Sequence, residues 1–376
     1  MSRPTPAEAQ ICEVLRGTPG IYRDLPDAAS VSGFIETAAE HRLRPLLSWL
    51  LRRSGEIGSW PEPVRASLVA TELTEAAIEV WRQRELNRVL QAFDDARIQA
   101  IVFKGAALAL TAYPEPWLRP REDADILVRP ADRESARAVL HTAGYEAAPQ
   151  VTGDLVKHQC LYWRHEQSGL RHDVDLHWKT VNPLPLADLV SADELLSSSE
   201  SLLVDRTAVR VAGPLHALFV ACLHRAAHHH GSSNLLWLYD IHLLCQRLDE
   251  GRITELKELT RRTGAGAICA QGIGLAAERF VTRLPPGLVE SLESSDRGGL
   301  ALPTVYVESG TRKADLLLAD LQSIDGWRGR LRLVREHLFP PAEYLLGRHP
   351  RASRALLPVL YLWRIVRGVK GWFRPL

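Results

Sequence analysis

The chain has 376 residues, 46% of them apolar and 24% charged, with 46 Lys and Arg against 45 Asp and Glu. This composition excludes a collagen-like, mucin-like or wholly disordered chain, and the length allows two domains or one large domain with helical additions. A net charge of +1 gives no chain-wide argument for nucleic-acid or membrane binding.

Residues 6–97 read as helical. Leu46, Leu47, Leu50 and Leu51 form a local apolar face, Pro61 and Pro63 mark a boundary, and 64–97 continues with apolar residues three and four apart. The texture changes at Ile98. A short apolar run ends in Lys104-Gly105 and a helical stretch follows, which reads as strand, turn, helix. Three prolines between Tyr113 and Pro120 predict an irregular loop. A strand over Asp123–Val128 then leads to a helix closed at Gly144. Strands at 158–165 and 170–178 turn at Gly169, and a further strand pair is expected at 202–211. Helices are expected at 214–230, 234–248, 253–263 and 266–280. Residues 281–312, with Pro285-Pro286 and Gly298-Gly299, read as a loop-rich connection, and 326–376 as a basic, partly amphipathic tail. The fold class is α+β: a small mixed-sheet core with extensive N- and C-terminal helical segments, divided as 1–97, 98–212, 213–282 and 283–376.

Cys12, Cys160, Cys222, Cys245 and Cys269 are odd in number and form no Cys-x-x-Cys pair. Neither a disulfide framework nor a zinc ribbon is indicated, and a cytoplasmic location is expected. No basic start with an apolar run opens the chain, and no apolar stretch reaches the ~18 residues of a bilayer span. No integral membrane association is expected.

The chemistry concentrates in IVFKGAALALTAYPEPWLRPREDADILV, residues 101–128. Asp123 and Asp125 are two apart on a predicted strand and share a face. Carboxylates that close repel one another unless a cation lies between them or one is protonated. Paired Mg²⁺ ions about 3.5–4 Å apart, held by carboxylates, are the standard arrangement for in-line phosphoryl displacement. His172-Asp173-Val174-Asp175-Leu176-His177 puts Asp173, Asp175 and His177 on one face of another strand and offers a third carboxylate. Gly105 permits close backbone approach to an anion at a helix N-terminus, Lys104 adds a point charge, and Arg119 offers a second clamp. These parts suit a nucleoside triphosphate with Mg²⁺.

KGAALAL, RPREDADILV and DVDLHW resemble the bacterial uncharacterised nucleotidyltransferase family of the DNA polymerase β-like superfamily. More distantly they are similar to AbiE-type toxin nucleotidyltransferases, whose pattern is Lys-Gly-Gly-Thr-Ala-Leu followed by Arg-x-Ser-x-Asp-Ile-Asp. The resemblance covers about residues 30–280. It implies a nucleotidyltransferase core at 98–212 with its helical half at 213–282. It implies Asp123, Asp125 and Asp175 as metal ligands and catalytic carboxylates, and Lys104, Gly105 and Ala106 at the phosphate-side turn. The turn is Gly105-Ala106 where the superfamily has Gly-Ser or Gly-Gly, so it lacks a hydroxyl, and the gap from Gly105 to Asp123 is long.

CLHRAAHHHGSSNLLWLYDIHLL, residues 222–244, looks like the helical half of the same family. His224 and His228 share a helix face at a spacing that zinc tolerates, but Arg225 replaces the Glu of His-Glu-x-x-His. They read as packing or capping residues, or as cleft residues, together with Asp173, His177 and Asp240. Asp240 could equally face solvent. Trp117, Trp163, Trp178 and Trp237 read as core residues, with base stacking as the alternative. The basic tail reads as a solvated face, with RNA or a membrane surface as alternatives. Together these features predict Mg²⁺-dependent transfer of a nucleoside monophosphate from an NTP to a small-molecule, sugar or peptide acceptor. A toxin-like tRNA nucleotidyltransferase, a γ-phosphotransferase and a non-catalytic binding module are the competing readings.

Overall fold

The computed structural model describes residues 4–18, 27–151, 153–166, 169–229, 231–295, 302–308, 310–349 and 351–374. Helices α1 (Pro6–Arg16), α2 (Ala28–Glu40), α3 (Arg44–Arg53) and α4 (Glu62–Asp95) come first. Pro61 precedes α4 and Pro63 lies in its first turn, where a missing N–H costs nothing. At ~1.5 Å per residue, the 34 residues of α4 span roughly 50 Å.

Strand β1 (Ala100–Val102), helix α5 (Lys104–Thr111), strand β2 (Asp123–Val128), helix α6 (Arg133–Thr142), and strands β3 (Glu146–Ala147), β4 (Gln159–His165) and β5 (Arg171–His177) follow. Short helices α7 (Leu184–Ala187) and α8 (Ala192–Ser197) lead to the hairpin β6 (Glu200–Val204) and β7 (Thr207–Val211). The sheet order is β3-β4-β5-β2-β1-β7-β6. It is mixed: β2 runs parallel to β5 and β1 parallel to β7, while the other neighbours are antiparallel.

Successive strand side chains point to opposite faces, and the sheet separates two cores accordingly. Ile101 and Leu127 join Leu218, Phe219 and Cys222 of helix α9 (Pro214–His229). Val102, Ile126 and Val128 join Leu86, Val89 and Phe93 of α4 and Leu140 of α6 on the other side. Asp125, two residues before Leu127, therefore faces α9. A third core gathers α1–α3, Val64 and Leu68 of α4, and Leu235, Leu236 and Leu238 of helix α10 (Leu235–Cys245). Helix α4 thus contributes to two cores, one at each end. At ~2 kcal/mol per fully buried side chain of this size, both ends are firmly held.

Helices α11 (Glu250–Thr263) and α12 (Gly266–Phe280) complete the α9-side core. The connection read as loop-rich contains a helix, α13 (Leu288–Ser295), because Leu288 and Leu292, one turn apart, bury against that core. Gly298-Gly299 lie outside the described residues. The tail forms α14 (Lys313–Gln322), α15 (Trp327–Leu338), α16 (Ala342–Arg348) and α17 (Leu357–Trp372). Among the described residues no helix is long and apolar enough to cross a membrane. All five cysteines are buried.

Helix α4 carries three buried carboxylates, each bound to an arginine of another element. Glu72 accepts from Arg52 of α3, Glu79 from Arg121 before β2, and Glu85 from Arg164 of β4. Glu85 also accepts from Arg88 and from the Tyr145 hydroxyl, at 2.6 Å each. Burial opposes its charge, but Arg88, Arg164 and Tyr145 outweigh burial and bring its pKa from 4.5 down to about 2. Because the folded value is depressed, the stability this provides is complete above about pH 5 and is lost as the pH falls through about 2. Glu85→Ala is expected to lower unfolding free energy by about 3 kcal/mol at pH 7, since it strands buried donors. In urea titrations the difference from wild type should shrink as the pH is lowered from 4.5 toward 2.

Candidate active site

The site begins where β1 turns into α5. Phe103 is extended, and Lys104, the first residue of α5, has φ 50°. A non-glycine in this left-handed region costs of order 1–3 kcal/mol and persists only when its surroundings enforce it. Here they do: Lys104 Nζ lies 3.0 Å from Asp125 Oδ1 and 3.3 Å from His177 Nε2.

The parallel pairing of β2 with β5 aligns Asp123 with Asp173, Asp125 with Asp175 and Leu127 with His177. Each aligned pair points to the same face, that of α9. His177 Nε2 lies 3.0 Å from Asp125 Oδ1 and 3.2 Å from Asp175 Oδ2, and the ring packs edge-on against Phe103. Ligand atoms of Asp125, Asp175 and His177 all lie within 4.8 Å of one another. Asp175 Oδ1 is buried with no hydrogen-bond partner. Asp123 sits one step nearer the open end and is half-buried. Burial, then Asp125 and Asp175, push its pKa up to about 7. Asp125 shifts the other way: burial opposes its charge, but Lys104 and His177 hold it well below the ordinary carboxylate range.

Lys104, Asp123, Asp125 and Asp175 line a cavity of about 590 Å³ between the sheet, α5, α9 and α10, whereas His177, expected in the cleft, is fully buried behind the carboxylates and does not line it. Its walls include Gly105, Arg119, His224, His228 and Trp237. His224 packs against His228 and His229, with ring centroids 5.0 and 4.8 Å away, and Trp237 stacks on His229 at 3.6 Å. Burial above all, with Lys104 adding repulsion, holds His224 neutral and lowers His228 to about 3. Neither belongs to a three-ligand cluster among the described residues, so the zinc alternative has no support in the geometry. The other such cluster, Glu85, Glu166 and His172, has Glu85 already bound to Arg88, Arg164 and Tyr145.

Arg119 is not free to swing toward a ligand as its position in the loop suggests. Its Nε and Nη2 bond to both oxygens of Asp240 on α10, at 3.0 and 2.7 Å, and Tyr113 donates to the same carboxylate at 2.8 Å. Asp240 is therefore buried in an ion pair and does not face solvent. The clamp leaves Nη1 across the α5 N-terminus, 2.6 Å from where a Cβ on Gly105 would stand. Gly105 is thus required by Arg119 from within the protein. Ala106, expected at the phosphate-side turn, is fully buried in the core beneath and does not line the cavity, because the first turn of α5 directs it away from the opening.

Asp173 departs from the expected cleft position. It bonds to Arg171 at 2.7 Å and does not line the cavity, since β5 carries it two residues toward the outer end of the sheet. Of the four tryptophans considered for base stacking, only Trp237 lines the cavity; Trp178 is buried under Arg133. Sequence reasoning missed Tyr113, Gln159 and Asn182. Gln159 Nε2 donates to Asp175 Oδ2, Asn182 Nδ2 donates to Gln159 Oε1 at 3.1 Å, and the Asn182 N–H reaches His228 Nε2 at 3.4 Å. A signal for Gln159 existed, because the hairpin turning at Gly169 sets it opposite His177.

A family model described as uncharacterised nucleotidyltransferase matches residues 27–281. The chain belongs to this family. The match begins beside α2 and ends after α12, so it takes in the whole sheet, the cavity and Asp240. No curated protein matches the chain. Among solved structures, it is similar to the antibiotic-resistance factor ANT(2'')-Ia at 14% identity and TM-score 0.35, over 48% of this chain and 92% of that one. It is also similar to an antigenic nucleotidyltransferase-like protein from Paracoccidioides brasiliensis at 14% identity and TM-score 0.37, over 60% and 96%. The protein is a nucleotidyltransferase with a mixed α/β fold.

For this nucleotidyltransferase the clamp on Arg119 has a measurable consequence. A methyl group at Gly105 cannot be met by simple rotation of a guanidinium tied at two nitrogens. Gly105→Ala is expected to weaken NTP binding about tenfold, the loss of one charge-assisted contact. Fluorescence titration with a labelled ATP analogue checks this, and the melting temperature should also fall, because the methyl group strains the buried Arg119–Asp240 pair.

Proposed function

We propose that the protein transfers a nucleoside monophosphate from an NTP to an acceptor hydroxyl, releasing pyrophosphate, with Mg²⁺ held by Asp123, Asp125 and Asp175. The observation that carries this reading is the register that brings Asp125 and Asp175 side by side at the base of a cavity edged by Lys104 and Arg119. The donor set fits a hard divalent cation: carboxylates predominate, an Asp175 oxygen is buried without a partner, and burial, then repulsion from Asp125 and Asp175, raises Asp123. Bound there, Mg²⁺ would neutralise phosphate oxygens and make the α-phosphorus more open to attack.

The chain's own residues supply the rest. Lys104 and the Nη1 of Arg119 offer positive charge to the triphosphate, and the α5 N-terminus at Gly105 offers a backbone N–H. Asp175, oriented by Gln159, accepts the proton of the acceptor hydroxyl. The hydroxyl oxygen bonds to the α-phosphorus as the bond to pyrophosphate breaks. His177 holds Asp125 and Asp175 in place, and the histidines of α9 with Trp237 form the wall against which a base or acceptor lies. Catalysis comes from positioning and charge neutralisation. A small-molecule, sugar or peptide acceptor suits the enclosed cavity better than tRNA, as a 590 Å³ space holds a ligand of modest size.

A label-fate assay tests this. Each NTP, labelled at the α or the γ phosphate, is incubated with the protein, Mg²⁺ and cell extract separated into RNA, protein and small-molecule fractions. Label should pass from the α position, and Asp125→Asn should lower the rate by at least about a thousandfold while leaving the fold intact. Transfer of γ label would make the protein a phosphotransferase, and α label in the RNA fraction would make it toxin-like. Lys104→Ala should raise KM for the NTP about tenfold in the same assay; an unchanged KM would remove Lys104 from the phosphate site.

A further inference from the structure

Helix α17 lies beyond the region matched by the family and outside all three apolar cores. One face is docked on the end of α15 and the turn after it: Tyr361 Oη donates to the Pro340 carbonyl at 2.7 Å, and Arg364 Nη1 to that of His337 at 2.6 Å. The opposite face carries Val359, Leu362, Trp363 and Val366, at spacings of three and four, exposed by 60, 63, 45 and 64%. Phe373, 61% exposed, continues it by one more pair of turns. A continuous exposed apolar stripe on an anchored helix marks an interaction surface.

The charge around the stripe selects its partner. From Tyr344 to Leu376 the sequence has seven Lys and Arg, of which Arg364 is turned to the docked face, and no Asp or Glu, so with a whole-chain charge of +1 the residues before it sum to −6. Arg367 lies over the Trp363 ring at 4.8 Å, keeping its charge beside the apolar stripe. A second copy of the chain on this face would bring like charges together. RNA would use the cations but leaves four aliphatic and aromatic side chains in water. An anionic bilayer surface satisfies both, since headgroups meet the cations and the stripe enters the acyl boundary, where Trp is favoured. We propose that α17 lies in the surface of an anionic membrane and holds the nucleotidyltransferase there, an inference independent of the cleft chemistry.

Flotation of the full-length protein with vesicles tests this. The protein should float with phosphatidylcholine vesicles containing phosphatidylglycerol, at least about tenfold more than with phosphatidylcholine alone, and lose this as salt is raised. The triple variant Val359→Ser, Leu362→Ser, Val366→Ser removes the stripe and no charge. These positions are exposed, so its melting temperature should match wild type, and its flotation should fall about tenfold. Equal flotation of the variant, equal flotation with neutral vesicles, or none at all would overturn the proposal. So would gel filtration showing a wild-type dimer that the variant dissolves, or RNA binding lost in the variant, because the stripe would then belong to another partner.

Discussion

Two carboxylates fixed side by side on neighbouring parallel strands are the constraint from which this molecule is best understood. The β2–β5 pairing leaves Asp125 and Asp175 no freedom to separate, and both are buried at the base of the cavity. In such a place negative charge must be answered locally. The protein answers it with the Lys104 ammonium and the His177 imidazole, both within hydrogen-bond distance. The backbone strain at Lys104 follows, because a right-handed residue there would aim its side chain elsewhere.

The same logic extends outward to the helical half. Arg119 belongs to the loop before β2 and Asp240 to α10, yet they share three hydrogen bonds in a buried setting, with Tyr113 as a third member. Gly105 completes the arrangement by leaving room for the guanidinium. The position of α10 therefore sets the position of the charge at the turn, and the sheet and the helices form one site.

Much of this was legible in the sequence. Strand alternation placed Asp123 and Asp125 on one face and Asp175 and His177 on one face, and the helices from 214 to 280 followed from their apolar spacing. Alternation fixes a face but not the distance along it, so Asp173 was expected in a cleft it does not line. Arg119 was expected to be free because its partner lies more than a hundred residues away on an element whose docking no local pattern encodes. Tyr113 and Asn182 stayed hidden for the same reason: each is ordinary where it stands and acquires its role from what folds against it, whereas Gln159 could have been found from the hairpin that sets it opposite His177. Helix α13 was overlooked because flanking prolines and glycines drew more weight than two leucines one turn apart.

Helix α4 carries an implication of another kind. Its apolar residues alone would let it slide by a turn, because one leucine fills a hole much as the next one does. The carboxylates of Glu72, Glu79 and Glu85 do not permit this, since each needs an arginine on a different element: α3, the loop before β2, and β4. Three directional pairs along one rod act as a vernier, with a single axial setting at which all coincide. Because Arg121 stands two residues before Asp123, that setting also fixes the depth at which the first carboxylate enters the cavity.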